Sequence, residues 1–504
     1  MKRVNDLILL AATLLLTVGC AEEATTPRNH PQPQEQEEPI PEGLTAFCMD
    51  DGATRTTAEY FYKSETNRGL HYYWTEGDHL WVNTGTDLAP VLKQDDGNNI
   101  HSQLKKHPEM PTIAVKRAAT AKFYFNGTFT APSYPVRYTG KGNPDGDKVT
   151  IKAQQTQTVP NDASHIATDG DCGTAIAQKK GGRYHFTLKH QAAYATFLPY
   201  STQAVLASNK IKIKKIRVWC PDQAISGQFS FNNSGLDLSS RPAATEANRQ
   251  IELTLSDFPM SSAANQTANA ATIVIAPGTY SQFNVEYTLN DPVTHRTGTV
   301  TKQYNNVTFT AGNNKRISQN LNIITVYNPQ YNQWYGDNQR PNINEIYWYV
   351  EKGAPYWDKQ LWIYNGHMYS GGMWIKRQSV IAAEQVPSKT IAELKQKAPN
   401  GIDYTAPSAP CPPFDAHNVP FGKPNNLNDY FYLPFLGQYD FYDNSFDSAG
   451  AYGYYWSKNH YMYPDDPYCL TIGWDMIRMG YLFAKYKHPW FSPSNEDEYR
   501  PNGM

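Results

Sequence analysis

The stretch ATIVIAPGTYSQFNVEYTL, residues 271–289, decides the fold class. Phe283, Val285, Tyr287 and Leu289 alternate with Asn284, Glu286 and Thr288. A repeat of two marks a strand with one buried face, whereas a helix would repeat every 3.6 residues. IKIKKIRVWC (211–220), IELTL (251–255) and NVTFT (306–310) read the same way. In the first of these, Ile211 and Ile213 face one way and Lys212 and Lys214 the other. The phase shifts at Lys215, which predicts a bulge or a strand crossing a sheet edge. Turn clusters punctuate the strands: NPDGDK (143–148), NNSG (232–235), LNDP (289–292) and AGNN (311–314). Short alternating strands between such turns predict antiparallel β-sandwiches. Residues 44–325 suit two of them, 44–182 and 183–325, with the break at Lys179-Lys180-Gly181-Gly182. No long helix is expected before residue 380.

Composition sets the outer bounds. The chain has 504 residues, 40% hydrophobic and 18% charged, with a formal net charge of −2. That balance offers no basic face for nucleic acid. Six cysteines, Cys20, Cys48, Cys172, Cys220, Cys411 and Cys469, form no CxxC or zinc-like spacing. Scattered buried thiols are one reading. A disulfide between Cys411 and Cys469 is the other.

The N-terminus has Lys2 and Arg3, then an apolar run from Leu7 to Val18. The run is short for a membrane span and has the form of a secretion signal, residues 1–20. Its end, Leu16-Thr17-Val18-Gly19-Cys20, resembles the lipobox of bacterial lipoproteins, which implies a lipid on Cys20 that ties the precursor to the membrane. Residues 21–43 are rich in Pro, Gln and Glu and predict a disordered tether. Glu22 and Glu23 resemble the surface-export signal of Bacteroidetes lipoproteins, which implies exposure on the outer membrane.

In the middle of the chain, FCMDDGATRTTAEYFY (47–62), YYWTEGDHLWV (72–82), AKFYFNGTFTAPSYPVRYTG (121–140) and FTLKHQAAYATF (186–197) follow one another. This ordered set resembles the fimbrillin family of Bacteroidetes pilus subunits. The resemblance implies two β-sandwich domains and a protease that clips after an arginine. It also implies a fibre built with other pilus subunits, in which a neighbour's strand fills the groove left by the clipped one. The best match for the cut is Arg55, which would release the strand-like piece 44–49. Arg28 and Arg117 are rivals.

After a linker at 326–340, composition changes. Residues 331–504 hold eight of the eleven Trp. Such aromatic density predicts a separate α+β domain, 341–504, whose core is built from rings. One helix is expected, SKTIAELKQKA (388–398), capped by Ser388. NEIYWYVEKG, QLWIYNGHMY and GGMWIKRQSVIA read as short strands and loops. The order DYFYLPFLGQYD (429–440), GAYGYYWS (450–457), YCLTIGW (468–474) resembles C-type-lectin-like and sulfatase-modifying-factor-like domains. Gly453–Ser457 is expected as a core strand, with Tyr454 and Trp456 on one face and Tyr455 on the other. The loop behind it mixes rings with hydrogen-bonding groups, so His460, Tyr461, Tyr463 and Asp465 are the candidate ligand residues.

No HExxH, GxSxG or GxxxxGK[ST] pattern occurs, so no enzyme and no cofactor is expected. His185 and His190 would face opposite ways along a strand and read as structural. Asp440, Asp443, Asp447, Asp465 and Asp466 could hold Ca²⁺ but read as solvated loops, so no metal is expected. Together these readings predict a pilus tip subunit that adheres to a host or bacterial surface protein or glycan. The alternatives are an unpolymerised glycan-binding surface lipoprotein and a pilus anchor.

Overall fold

The computed structural model describes residues 21–24, 39–49, 57–64, 67–97, 104, 116–204, 206–207, 211–321, 324–410, 412, 416–461, 463 and 465–501. The protein is mostly β, as the alternation predicts. It divides into two compact units: residues 1–200, 215–286 and 301–320 form one, and 201–214, 287–300 and 321–504 the other.

Among the described residues, the first unit opens with an eight-stranded sheet. Its strand order is Leu92–Gln94, Trp81–Asn83, Ser133–Tyr138, Gly173–Lys180, Arg183–Phe186, Leu44–Met49 and Lys122–Asn126, with Lys189–His190 joined to Gly173–Lys180. The break expected at 179–182 is instead a hairpin inside this sheet, since Lys180 pairs with Arg183. Gly181 and Gly182 take φ of 58° and 84°, the left-handed pair that a two-residue hairpin turn demands. A Gly-Gly pair serves a hairpin and a domain boundary alike, so local sequence does not separate the two.

A four-stranded and a five-stranded sheet follow among the described residues. The four-stranded sheet runs Ala21–Ala24, Asn313–Asn320, Ala193–Tyr200, Ala271–Ile275. The tether expected over 21–43 thus begins with a strand, in which Ala21 pairs with Arg316 and Ala24 with Asn313. The five-stranded sheet runs Gln154–Gln157, Gln250–Pro259, Lys212–Trp219, Gly278–Asp291, Arg296–Phe309. Most ladders are antiparallel, but Ala193–Tyr200 runs parallel to Asn313–Asn320 and Gln154–Gln157 parallel to Gln250–Pro259. In Lys212–Trp219 the buried residues are Ile213, Ile216 and Val218, so the phase shift at Lys215 is present.

Ala271–Ile275 ends the four-stranded sheet, and two side chains close its outer edge. Gln155 accepts from Val274 N (3.0 Å) and donates to Val274 O (2.8 Å). Gln157 accepts from Thr272 N (2.9 Å) and donates to Ala270 O (2.9 Å). Two amides at alternate positions thus reproduce the donor–acceptor rhythm of a neighbouring strand.

The second unit is α+β. One sheet runs Thr325–Val326, Tyr356–Tyr364, His367–Lys376, Tyr430–Pro434; the other runs Ala416–Asn418, Met476–Tyr481, Pro467–Gly473, Tyr452–His460. Asn365 and Gly366, both at positive φ (49° and 79°), close the hairpin inside QLWIYNGHMY. Two segments read as strands are helices. NEIYWYVEKG lies in Ile343–Lys352, where Asn342 and Glu345 form a reciprocal capping box. Asn344, Glu345, Glu351 and Lys352 fall on one side of this helix, and residues 343–350 are all buried. GGMWIKRQSVIA ends its strand at Lys376 and turns into the helix Gln378–Ala383. The helix expected over 388–398 is shorter, Ile391–Gln396, and Thr390 rather than Ser388 caps it, paired with Glu393.

Buried thiols follow the first of the two readings. Cys172, Cys220 and Cys469 are free and buried, Cys48 is buried, and Cys20 and Cys411 lie outside the described residues. Burial pushes the Cys469 thiol up to about 11, which makes it unreactive. No described helix is long and apolar enough to cross a membrane, and the Leu7–Val18 run lies outside the described residues.

Candidate functional site

Leu44–Met49 is an interior strand. On one side it pairs antiparallel with Lys122–Asn126, from Leu44 opposite Asn126 to Cys48 opposite Lys122. On the other it pairs parallel with Arg183–Phe186, with Phe47 opposite Tyr184. Thr45 Oγ1 donates to Gly127 O at 2.8 Å, and Gly127 N to Gly43 O at 3.1 Å.

Both faces of this strand are covered. Phe47 is fully buried, stacked on Tyr184 at 4.6 Å and set edge-on against Phe125 (4.9 Å) and Phe129 (5.3 Å). Met49 Sδ accepts from the indole N–H of Trp74 at 2.9 Å. Ala46 and Cys48 pack on the opposite face with Tyr124, Ile40 and Leu44. If this strand left, two ladders would be unpaired and an aromatic cage would open, the two features that strand addition repairs. Sequence reasoning found the strand and missed the cage, because Phe125, Phe129 and Tyr184 meet Phe47 only through non-local pairing.

The processing candidates fall unevenly. Arg55, Arg28 and the lipidation candidate Cys20 lie outside the described residues. Arg117 is only 5% exposed. Its guanidinium lies 3.6 Å from both Glu59 and Asp162 and stacks over Tyr73 at 4.8 Å. A buried, paired arginine is closed to a protease.

The candidate ligand residues lie at and just after the end of the strand Tyr452–His460. Tyr455 is buried and donates to Pro434 O at 2.6 Å. Trp456 stacks on His488 at 4.1 Å and Tyr454 on the same ring at 5.2 Å, so the two faces divide as predicted. His460 ends this strand, exposed, with its ring edge-on to Trp334 at 5.6 Å. Tyr461 is half-buried and stacks on Tyr481 at 5.0 Å, so one of its faces is already occupied. Tyr463 is 66% exposed, and Asp465 is exposed. Asp466 N donates to Tyr463 O (3.0 Å) and Ala484 N to Asp465 O (2.8 Å), which joins this loop to the 482–487 loop.

The acidic loop is organised by local bonds. Asp440 accepts from Tyr442 N at 2.7 Å, and Asp443 from Ser445 N at 2.8 Å. Side-chain and backbone bonds from Ser445 hold the Asp443 carboxyl below its usual range. No cluster of three metal-ligating groups occurs among the described residues. His190 is fully buried with Nδ1 2.7 Å from Asp171, while His185 is half-exposed.

Residues 488–501 are built into the second unit. Phe491 and Tyr499 belong to its core. Tyr327 Oη donates to Tyr499 O at 2.8 Å, and Tyr499 Oη to Trp490 O at 3.0 Å. Glu496 accepts from Tyr349 Oη (2.8 Å) and Gln378 N (2.9 Å), and its burial raises its pKa.

Comparison with known proteins finds no matching family model and no matching curated protein. Solved structures with partial likeness include a proposed cell adhesion protein from Bacteroides ovatus: 10% identity, 55% of this chain, 90% of that one, TM-score 0.31. Another, from Bacteroides uniformis, gives 12%, 56%, 95% and 0.30. A fimbrial protein from Bacteroides vulgatus gives 13%, 56%, 88% and 0.22. Scores this low carry no property over to this chain.

Proposed function

We propose that this chain is a cell-surface pilus subunit of fimbrillin type that accepts a donated strand and acts in adhesion at the fibre tip. The observation that carries the reading is Leu44–Met49, an interior strand with both edges paired and a phenylalanine in an aromatic cage. Only 50–56 separate it from the strand Thr57–Ser64, and Arg55 lies in that gap. One cut there frees everything before it, including Leu44–Met49 and the lipid on Cys20. A neighbour's strand then restores the ladders and refills the cage.

Residues 488–501 support the tip position. They are held by core rings and by hydroxyl and carboxylate bonds, so they are not free to serve as a donor strand. The aromatic second unit, read as C-type-lectin-like, then carries the adhesive surface, with His460, Tyr461, Tyr463 and Asp465 as its candidate ligand residues.

The test is the mature N-terminus of surface-extracted protein together with its presence in sheared fibres. A start near Thr56 and co-purification with fibres are expected. Lipid still on Cys20, with no protein in the fibre fraction, would overturn the reading in favour of an unpolymerised surface lipoprotein.

A further inference from the structure

A second group of rings lies beside the His460–Asp465 loop, and none of its members was a candidate from sequence. Phe441 and Tyr442 have ring centroids 3.6 Å apart. Phe441 meets Phe483 edge-on at 4.9 Å and Tyr486 at 5.3 Å. Tyr442 is 83% exposed. The cluster spans two loops whose bases are fastened together. Tyr439 N donates to Lys487 O at 3.0 Å, and Lys487 N returns a bond to Tyr439 O at 3.1 Å. Lys487 Nζ reaches Asn444 Oδ1 at 2.6 Å. The rings are therefore held in place before any ligand arrives, which lowers the entropy cost of binding.

We propose that Tyr442, braced by Phe441, Phe483 and Tyr486, is the stacking ring of a binding site for a neutral glycan. An aromatic ring has a negative face, which attracts the polarised C–H groups on the flat side of a pyranose. Sugar hydroxyls both donate and accept, and the rim supplies both functions. Asp440 and Asp443 accept, Lys487 donates, and the amide of Asn444 does both. Carboxylates outnumber the one ammonium group named on this rim, which disfavours an anionic ligand. Stacked nucleobases would bring phosphates against Asp440, Asp443 and Asp447. A protein partner needs roughly 800 Å² on each side, and four partly covered rings offer much less.

The proposal rests on the adhesive role given above. It is tested without fibres, so its failure is distinct from a failure of strand donation. Full-length protein is run in affinity gels containing yeast mannan or laminarin and screened on a neutral-oligosaccharide array. Retardation or array binding is expected. Tyr442→Ala should weaken it roughly tenfold without changing the melting temperature. Asn444→Gly, which suits the positive φ of 57° at that position, should weaken it less. Absence of binding across both formats overturns the proposal. So does binding that neither variant changes. Adhesion that depends on Tyr442 but survives periodate oxidation of the target surface also overturns it, in favour of a protein partner.

Discussion

Leu44–Met49 and the 488–501 segment are both built into a core, but they are held in different ways. The first is held by backbone ladders on both edges and by one ring in a cage. The second has few backbone bonds and is held by named side-chain groups: Tyr327, Tyr349, Gln378 and the rings around Phe491 and Tyr499. A ladder recognises any extended chain with suitable knobs. A set of hydroxyl and carboxylate bonds recognises one sequence. The first mode of holding would admit a substitute strand, and the second would not.

The largest expected effect is at the knob. Phe47→Ala should cost about 3–5 kcal/mol in chemical denaturation, because the cage of Phe125, Phe129 and Tyr184 cannot collapse fully around a methyl. A loss below about 1 kcal/mol would show that the ladder alone holds the strand. Next is His488, which packs between Trp456 and Tyr454 and above which Tyr486 also stacks. Burial pushes its pKa down to about 3 from an ordinary 6.5. The folded form keeps this ring neutral while the unfolded chain takes up a proton near pH 6.5. The stability this supplies is complete above pH 6.5 and is lost as pH falls toward 3, by up to about 1.4 kcal/mol per pH unit. Melting curves from pH 7 to 4 should show the loss, and His488→Gln should show a shallower one.

Smaller effects separate the two modes of holding. Tyr327→Phe leaves the buried Tyr499 carbonyl without that donor and should cost about 1–2 kcal/mol. Met49→Leu keeps the volume and should cost less than about 1.5 kcal/mol. Thr45→Val keeps the ladder, removes one exposed side-chain bond, and should stay within about 0.5 kcal/mol. If Thr45→Val proved costlier than Tyr327→Phe, the contrast between ladder and side-chain anchoring would fail.

The sequence showed what depends on local pattern. The alternation at Phe283–Leu289, the phase shift at Lys215 and the division of Tyr454, Tyr455 and Trp456 between two faces were all legible, because strand periodicity is a property of adjacent residues. Ile343–Lys352 was hidden because its Ile, Tyr, Trp and Val are also good strand formers, which masked the helical spacing of Asn344, Glu345, Glu351 and Lys352. The parallel partnership of Leu44–Met49 with residues about 140 positions later leaves no local trace. The same holds for the meeting of the 441–442 and 483–486 rings. Each loop alone reads as a polar turn with incidental aromatics.

The two glutamines along Ala271–Ile275 have a consequence for crowding. Exposed sheet edges fuse with one another when many copies are held close, as in a packed fibre or on a crowded surface. Here Thr272 N, Val274 N, Ala270 O and Val274 O already have amide partners within the same chain. Copies of this protein brought side by side would find that edge closed to lateral zippering.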